Sequence, residues 1–275
     1  MHSLGGFFCH MNPSNQPIYA SIPAAPLRPY ISHYWLSLDN SDESYAITPD
    51  GAVDVVVVVG AATFRVDAFG TTTKRSEIQL EAGSHYLGVR FRPGQSRHFL
   101  DAKTSELTNA VHAAEGAFLP DISGVADSIS VDSLFAHLDA ALLRHLKRRS
   151  PSHSRIDDVI RYIEITHSPL RVSDLANIYC KSRRQFERTF LDVVGLSAKQ
   201  FAAIIRFRRA SALLANSNLP LAQIAAAIGY TDQSHFTHEF ARFFGLPPLR
   251  AREHAAFLQD AGRLAEHNAG SLYSR

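Results

Sequence analysis

Residues 182–190, SRRQFERTF, set two phenylalanines four apart among three arginines. A guanidinium offers a rigid fork of donors that fits a carboxylate, a phosphate or the paired acceptors of guanine. At 100° per residue, Phe186, Phe190 and Val193 fall within about 60° on one side of a helix. Arg184, Glu187 and Arg188 lie opposite, and Arg183 lies on the flank. Ser182 stands where a capping hydroxyl is needed. The oily stripe reads as core, and the outer face as solvated surface or as a contact for an anion.

The segment recurs. Val172, Leu175 and Ala176 match Leu221, Ile224 and Ala225 at an offset of 49. Phe186, Phe190, Val193, Gly195 and Leu196 match Phe236, Phe240, Phe243, Gly245 and Leu246 at an offset of 50, so the second copy holds one extra residue at its turn. Each copy reads as a short helix, a tight turn and a second helix, the arrangement in which the second helix enters a major groove. In the second copy Ser234, Thr237 and His238 face outward, with Gln233 on the flank. Between the copies, SAKQFAAIIRFRRASALLANS (197–217) predicts a helix about 30 Å long, close to one turn of DNA. Its Arg206, Arg208 and Arg209 read as phosphate contacts or as a solubilising face.

Charge is distributed to match. Residues 1–150 hold 12 Lys and Arg against 15 Asp and Glu, a balance of −3, whereas 151–275 hold 16 against 11, or +5. Within 171–209 the count is 9 against 3, which points to an anionic partner for the C-terminal part.

The two halves use different alphabets, so the fold class is α+β in two domains. Runs such as HYWLSL (33–38), VDVVVVV (53–59), TFRVDAF (63–69), EIQLEA (77–82) and HYLGVRF (85–91) predict an antiparallel barrel or sandwich. VDSLFAHLDAALLRHLKRR (131–149) predicts a helix with a leucine ladder, either a dimer seam or a lid on its own barrel. The expected layout is a β-rich sensor or dimerisation domain over 1–149, a linker over 150–154, a seven-helix domain over 155–260 and a flexible tail over 261–275. The expected helices start or stop at Pro169, Gly195, Gly229 and Gly245 and at the prolines of 247–248.

Several classes are disfavoured. AVDVVVVVGAA (52–62) is too short to span a bilayer, and MHSLGGFFCHMNPS lacks the pattern of a secretory signal. Two cysteines, Cys9 and Cys180, suit a reducing, cytoplasmic compartment and read as small apolar filler. The sequence has no HxH, HExxH, CxxC or GxSxG and no Gly-rich phosphate loop, so no enzyme, metal or cofactor is expected.

The stretches VSDLANIYCKSRRQFERTFLDVVGLSAKQFAAIIRFRRASALL and LAQIAAAIGYTDQSHFTHEFARFFGLPP resemble the paired DNA-binding domain of the AraC family of bacterial transcription regulators. The resemblance covers roughly 155–255 and is most specific over 224–248. It implies binding to two adjacent half-sites, with base-facing positions at Arg184, Glu187 and Arg188 and at Gln233, Ser234, Thr237 and His238. Ser182, Arg183, Arg206 and Arg209 complete the expected DNA-contact set. Two positions depart from the family pattern: Cys180 stands at a turn often held by glycine, and His238 stands where arginine is frequent. With Asp232 and Glu239 near the second helix, the first is expected to dominate affinity and the second to tune sequence choice.

The N-terminal half resembles cupin-like sensor domains, through ITPDGAVDVVV and YLGVRFRPG. Trp35, His85, Tyr86, Arg90 and Arg92, together with His33 and Tyr34, are the candidate pocket residues, and Arg90 and Arg92 are expected to share a face. The expected partners are double-stranded DNA, RNA polymerase, a small-molecule effector and a second copy of the chain, with no membrane. Competing readings are a cupin-like metal-dependent enzyme with a helical appendage and a helical protein-interaction scaffold.

Overall fold

The structure, a computed structural model, describes residues 7–11, 17–41, 44–61, 63–114, 131–166 and 170–253. The expected tail, 261–275, the end of the last expected helix and Pro169 lie outside these residues, as do all but 7–11 of the first fourteen residues and the side chain of Cys9.

The chain groups into two compact units. One takes in residues up to Tyr45, Ala52–Gly70 and Ile78–His153; the other takes in Ala46–Gly51, Thr71–Glu77 and the chain from Ser154.

Nine strands are described in the chain up to residue 114: β1 (Phe7–Met11), β2 (Pro17–Ser21), β3 (Ile31–Ser37), β4 (Ser44–Ile47), β5 (Val53–Val59), β6 (Phe64–Phe69), β7 (Ser76–Gln79), β8 (His85–Phe91) and β9 (Val111–Ala113). Seven form an antiparallel sheet in the order β1-β2-β3-β8-β5-β6-β9, and β4 pairs with β7 in a second, two-stranded sheet. Four strands had no counterpart among the expected runs: β1, β2, β4 and β9. Each has five residues or fewer, and β2 opens on a proline, so none offers a sustained alternation.

A single helical turn, α1 (Thr104–Leu107), precedes the long helix α2 (Val131–Arg149). The leucine ladder of α2 packs on its own sheet: Leu138 and Leu142 are buried with Phe135 against Tyr34, Leu36, Val55, Val57, Leu87 and Val89. The buried Tyr34 hydroxyl donates to Asp139 on α2 at 2.8 Å, and burial pushes that phenol well up from its ordinary range. Apart from Asp54, β5 is valine throughout because both its faces are covered. Val53, Val55 and Val57 face α2, while Val56 and Val58 join Tyr86, Trp35, Phe69 and Leu80 in a second cluster.

Residues 150–154 form neither helix nor strand. Seven helices follow among the described residues: α3 (Arg155–Ile165), α4 (Val172–Tyr179), α5 (Arg183–Val194), α6 (Ala198–Asn216), α7 (Leu221–Ala227), α8 (Gln233–Phe244) and α9 (Pro248–Arg252). They enclose one apolar core dominated by phenylalanine. The described chain contains no helix long and apolar enough to cross a membrane.

Candidate nucleic-acid interface

The repeat is visible atom by atom. Phe186 and Phe190 stack edge to face at 5.6 Å, and their counterparts Phe236 and Phe240 do so at 5.7 Å. In front of them Tyr179 meets Phe186 at 5.9 Å and Tyr230 meets Phe236 at 5.4 Å, both at an interplanar angle of 51°. The inner phenylalanine of each pair then touches α6: Phe190 meets Phe201 and Phe240 meets Phe207. All four repeat phenylalanines are fully buried. At about 25 cal/mol per Å2 of apolar surface, burying such rings supplies most of what holds α4–α5 and α7–α8 against α6.

The turns are also equivalent. Cys180 ends α4 in the left-handed conformation (φ 57°, ψ 39°), where Gly229 has φ 79°. The next amide in each copy, Lys181 and Tyr230, donates back to Ala176 and Ala225 respectively. The expected apolar filler at Cys180 is corrected: its thiol is exposed, because the chain leaves the core at this turn. Ser182 caps α5 by accepting from the Gln185 amide, with the Gln185 side chain accepting in return from Ser182. Asp232 caps α8 by accepting from the His235 amide at 2.7 Å. Both helices end at a left-handed glycine, Gly195 and Gly245.

With the inner faces fixed, the outer faces follow. On α5, Arg183, Arg184, Glu187 and Arg188 are all exposed. Arg183 Nε donates to Glu187 Oε1 at 3.0 Å, an i,i+4 pair worth a few tenths of a kcal/mol at this exposure. Among the described residues, Arg184 and Arg188 have no hydrogen-bond or ion-pair partner. On α8, Gln233, Ser234, Thr237 and His238 line a shallow depression of about 160 Å3.

Of the acids flanking α8, Glu239 takes no part in its outer face. Glu239 is turned inward: the Tyr230 hydroxyl donates to its Oε1 at 2.6 Å and Arg206 donates at 3.1 Å. Burial and that carboxylate push the Tyr230 phenol well up. Arg242, exposed on α8, lies 3.8 Å from Glu239 and over the Phe243 ring at 4.5 Å.

The three arginines of α6 go to interior partners. Arg206 is held by Glu239 and lies over the Tyr230 ring at 5.3 Å. Arg209 donates to the carbonyls of Glu164 and Thr166, closing the end of α3, and burial lowers its guanidinium from the usual range. Arg208 is buried and donates to the Asp50 carbonyl, which belongs to the same unit, at 3.3 Å; burial pushes it down to about 10. A helix so thoroughly packed leaves little of itself to solvent, which is why neither a solubilising face nor a free phosphate-binding row results.

In the N-terminal unit the candidate pocket residues separate. Trp35 and Tyr86 lie on the sheet face opposite α2, and Arg90, two residues from Gly88 and four from Tyr86, shares that side by alternation. Trp35 Nε1 donates to Asp54 at 3.2 Å and Arg90 donates to the same carboxylate at 2.7 Å. Burial pushes Asp54 up to about 7, while the Trp35 bond pulls it down. Asp54 was not among the sequence candidates; a carboxylate inside a valine run was the available signal. The backbone of Gly88 lies directly beneath the indole, where a Cβ would come within 1.9 Å of Trp35 Cε2. Arg92 lies beyond the end of β8 and donates to the Arg28 carbonyl, so it is not part of the Arg90 group. His85 accepts from the Asp39 amide at the opposite end of β8, His33 lies beside Ser32, and Tyr34 points to α2. Among the described residues no group of three or more His, Cys, Asp or Glu could hold a metal ion.

Residues 175–254 match a family described as a helix-turn-helix domain, and residues 20–113 match one described as Domain of unknown function (DUF6597). The Msm operon regulatory protein of Streptococcus mutans is 28% identical over 138 residues, covering 48% of this chain and 50% of that protein. The probable transcriptional regulator LumQ of Photobacterium leiognathi is 28% identical over 160 residues, 57% of this chain and 62% of its own length. A solved transcriptional regulator of Chromobacterium violaceum, described as an AraC-type DNA-binding domain-containing protein, is 27% identical with a TM-score of 0.35, covering 37% of this chain and 92% of that one. The chain thus spans less than two thirds of the length of these curated relatives. On the repeated helix pairs and the family match, residues 175–254 form a helix-turn-helix domain of the AraC type.

Proposed function

We propose that the chain is a sequence-specific DNA-binding transcription regulator whose helices α5 and α8 enter successive major grooves. One observation carries this reading: two equivalent helices bury matching phenylalanines and turn short, differently charged faces outward. The connecting α6 has 19 residues, about 28 Å, which suits a spacing near the 34 Å of one DNA turn.

In this reading Arg184, Glu187 and Arg188 meet bases from α5, and Gln233, Ser234, Thr237 and His238 from α8. Ser182 and Arg183, at the start of α5, approach the phosphates. Arg206 and Arg209 leave the DNA-contact set, because each is engaged inside the protein. Residues 1–149 act as a sensor or dimerisation domain joined through 150–154, with the Trp35, Tyr86, Arg90 and Asp54 group as the place where an effector would be felt. The chain works in the cytoplasm as a regulator rather than an enzyme, with RNA polymerase as its downstream partner.

The test is selection of bound duplexes from a random pool by the full chain. The expected product is a motif of two boxes about one helical turn apart. A pool that enriches nothing, or enriches a single box indifferent to substitutions in α8, overturns the reading. A protein-interaction scaffold would bind acidic partners without preferring any duplex.

A further inference from the structure

The repeat pairs four outward positions fifty residues apart: Arg183 with Gln233, Arg184 with Ser234, Glu187 with Thr237, and Arg188 with His238. On α5 every one of the four is charged; on α8 none carries a fixed charge. The acids bordering α8 do not alter this, since Asp232 is spent on the helix cap and Glu239 on Tyr230 and Arg206. Four equivalent positions with wholly different chemistry imply different targets.

Major-groove edges define those targets. Guanine shows two acceptors that fit a guanidinium fork, and the cytosine amino group fits a carboxylate. Adenine shows a donor beside an acceptor, which a carboxamide matches, and thymine shows a methyl group. Arg184 and Arg188 have unengaged forks among the described residues. Glu187 is held through Oε1 by Arg183 Nε at 3.0 Å, which leaves Oε2 to accept from a base. The α8 face has no guanidinium, so it lacks the strongest guanine contact; Gln233 offers the carboxamide and Thr237 the methyl.

We propose that the two helices read boxes of opposite composition: α5 a box containing G·C pairs through Arg184, Arg188 and Glu187, and α8 a box containing A·T pairs through Gln233 and Thr237. This rests on the DNA-binding reading above.

The experiment uses the full chain and the duplex recovered from the random pool, with base analogues placed in one box at a time. Arg188→Ala and Gln233→Ala assign each box to its helix, since each relaxes base choice only in its own box; circular dichroism confirms that these exposed substitutions leave the fold intact. In the α5 box, 7-deazaguanine is expected to weaken binding about five- to 150-fold. In the α8 box, 7-deazaadenine and uracil in place of thymine are each expected to weaken it a few-fold. The reverse placements should change little. Two boxes of the same composition, or a G·C box relaxed by Gln233→Ala, overturn the proposal while leaving DNA binding intact. A pool that enriches no sequence overturns both.

Discussion

The α4–α5 and α7–α8 pairs are the same object inside and different objects outside. Their paired phenylalanine rings lie 5.6 and 5.7 Å apart, and both second helices run twelve residues from a side-chain cap to a left-handed glycine. Outward, α5 offers free guanidinium groups, while α8 offers amide, hydroxyl and imidazole with Glu239 folded away. The core sets the direction each helix points, and the four outward residues are then free to differ without cost to packing. Affinity and selectivity can therefore be divided between two copies of one motif.

The comparison can be broken most forcefully at the shared core. Phe190→Ala and Phe240→Ala each remove a fully buried ring and should each cost about 3–5 kcal/mol, measured by denaturant unfolding. A cost confined to one of them would mean that the copies are not energetically equivalent. Next comes the outer surface. Arg184→Ala with Arg188→Ala should weaken binding to the selected duplex roughly a hundredfold, against a few-fold for His238→Ala. Intact binding by the double variant together with complete loss in His238→Ala would reverse the proposed division of labour.

The acids sharpen the contrast further. Glu239→Gln weakens the inward set of Tyr230 and Arg206 and should cost about 1–3 kcal/mol of stability. Glu187→Gln, on an exposed pair, should cost less than about 0.5 kcal/mol yet change base choice in the α5 box. The smallest effects lie in the turns. Gly229→Ala forces a side chain into the left-handed region and should cost about 1 kcal/mol. Cys180→Gly relieves the same strain and should gain less than that, because glycine also loosens the unfolded chain. Thermal melts of the two variants against the parent measure the pair.

The parts legible in the sequence are those fixed by local rules. Phenylalanine spacing gave the buried stripe and Ser182 its cap within a dozen residues, and the repeat matched Cys180 to Gly229 at the left-handed turn. What was illegible depends on residues far apart in the chain. Arg209 closes helix α3 through carbonyls more than forty residues away, and Glu239 finds Tyr230 and Arg206 rather than solvent. A charged residue announces its sign but not whether a carbonyl or a phenol stands above it. The same limit hid Asp54, whose partners Trp35 and Arg90 come from two neighbouring strands.

Equal helix lengths with matching start and stop signals have a practical consequence. Because the outward positions fall in register, Gln233, Ser234, Thr237 and His238 could be transplanted onto the front helix, or the arginine set onto the rear one, with no change to any ring beneath. The protein would then behave like a key with interchangeable bits. Its lineage could drift from one operator to another by editing a handful of surface letters while the scaffold stands still.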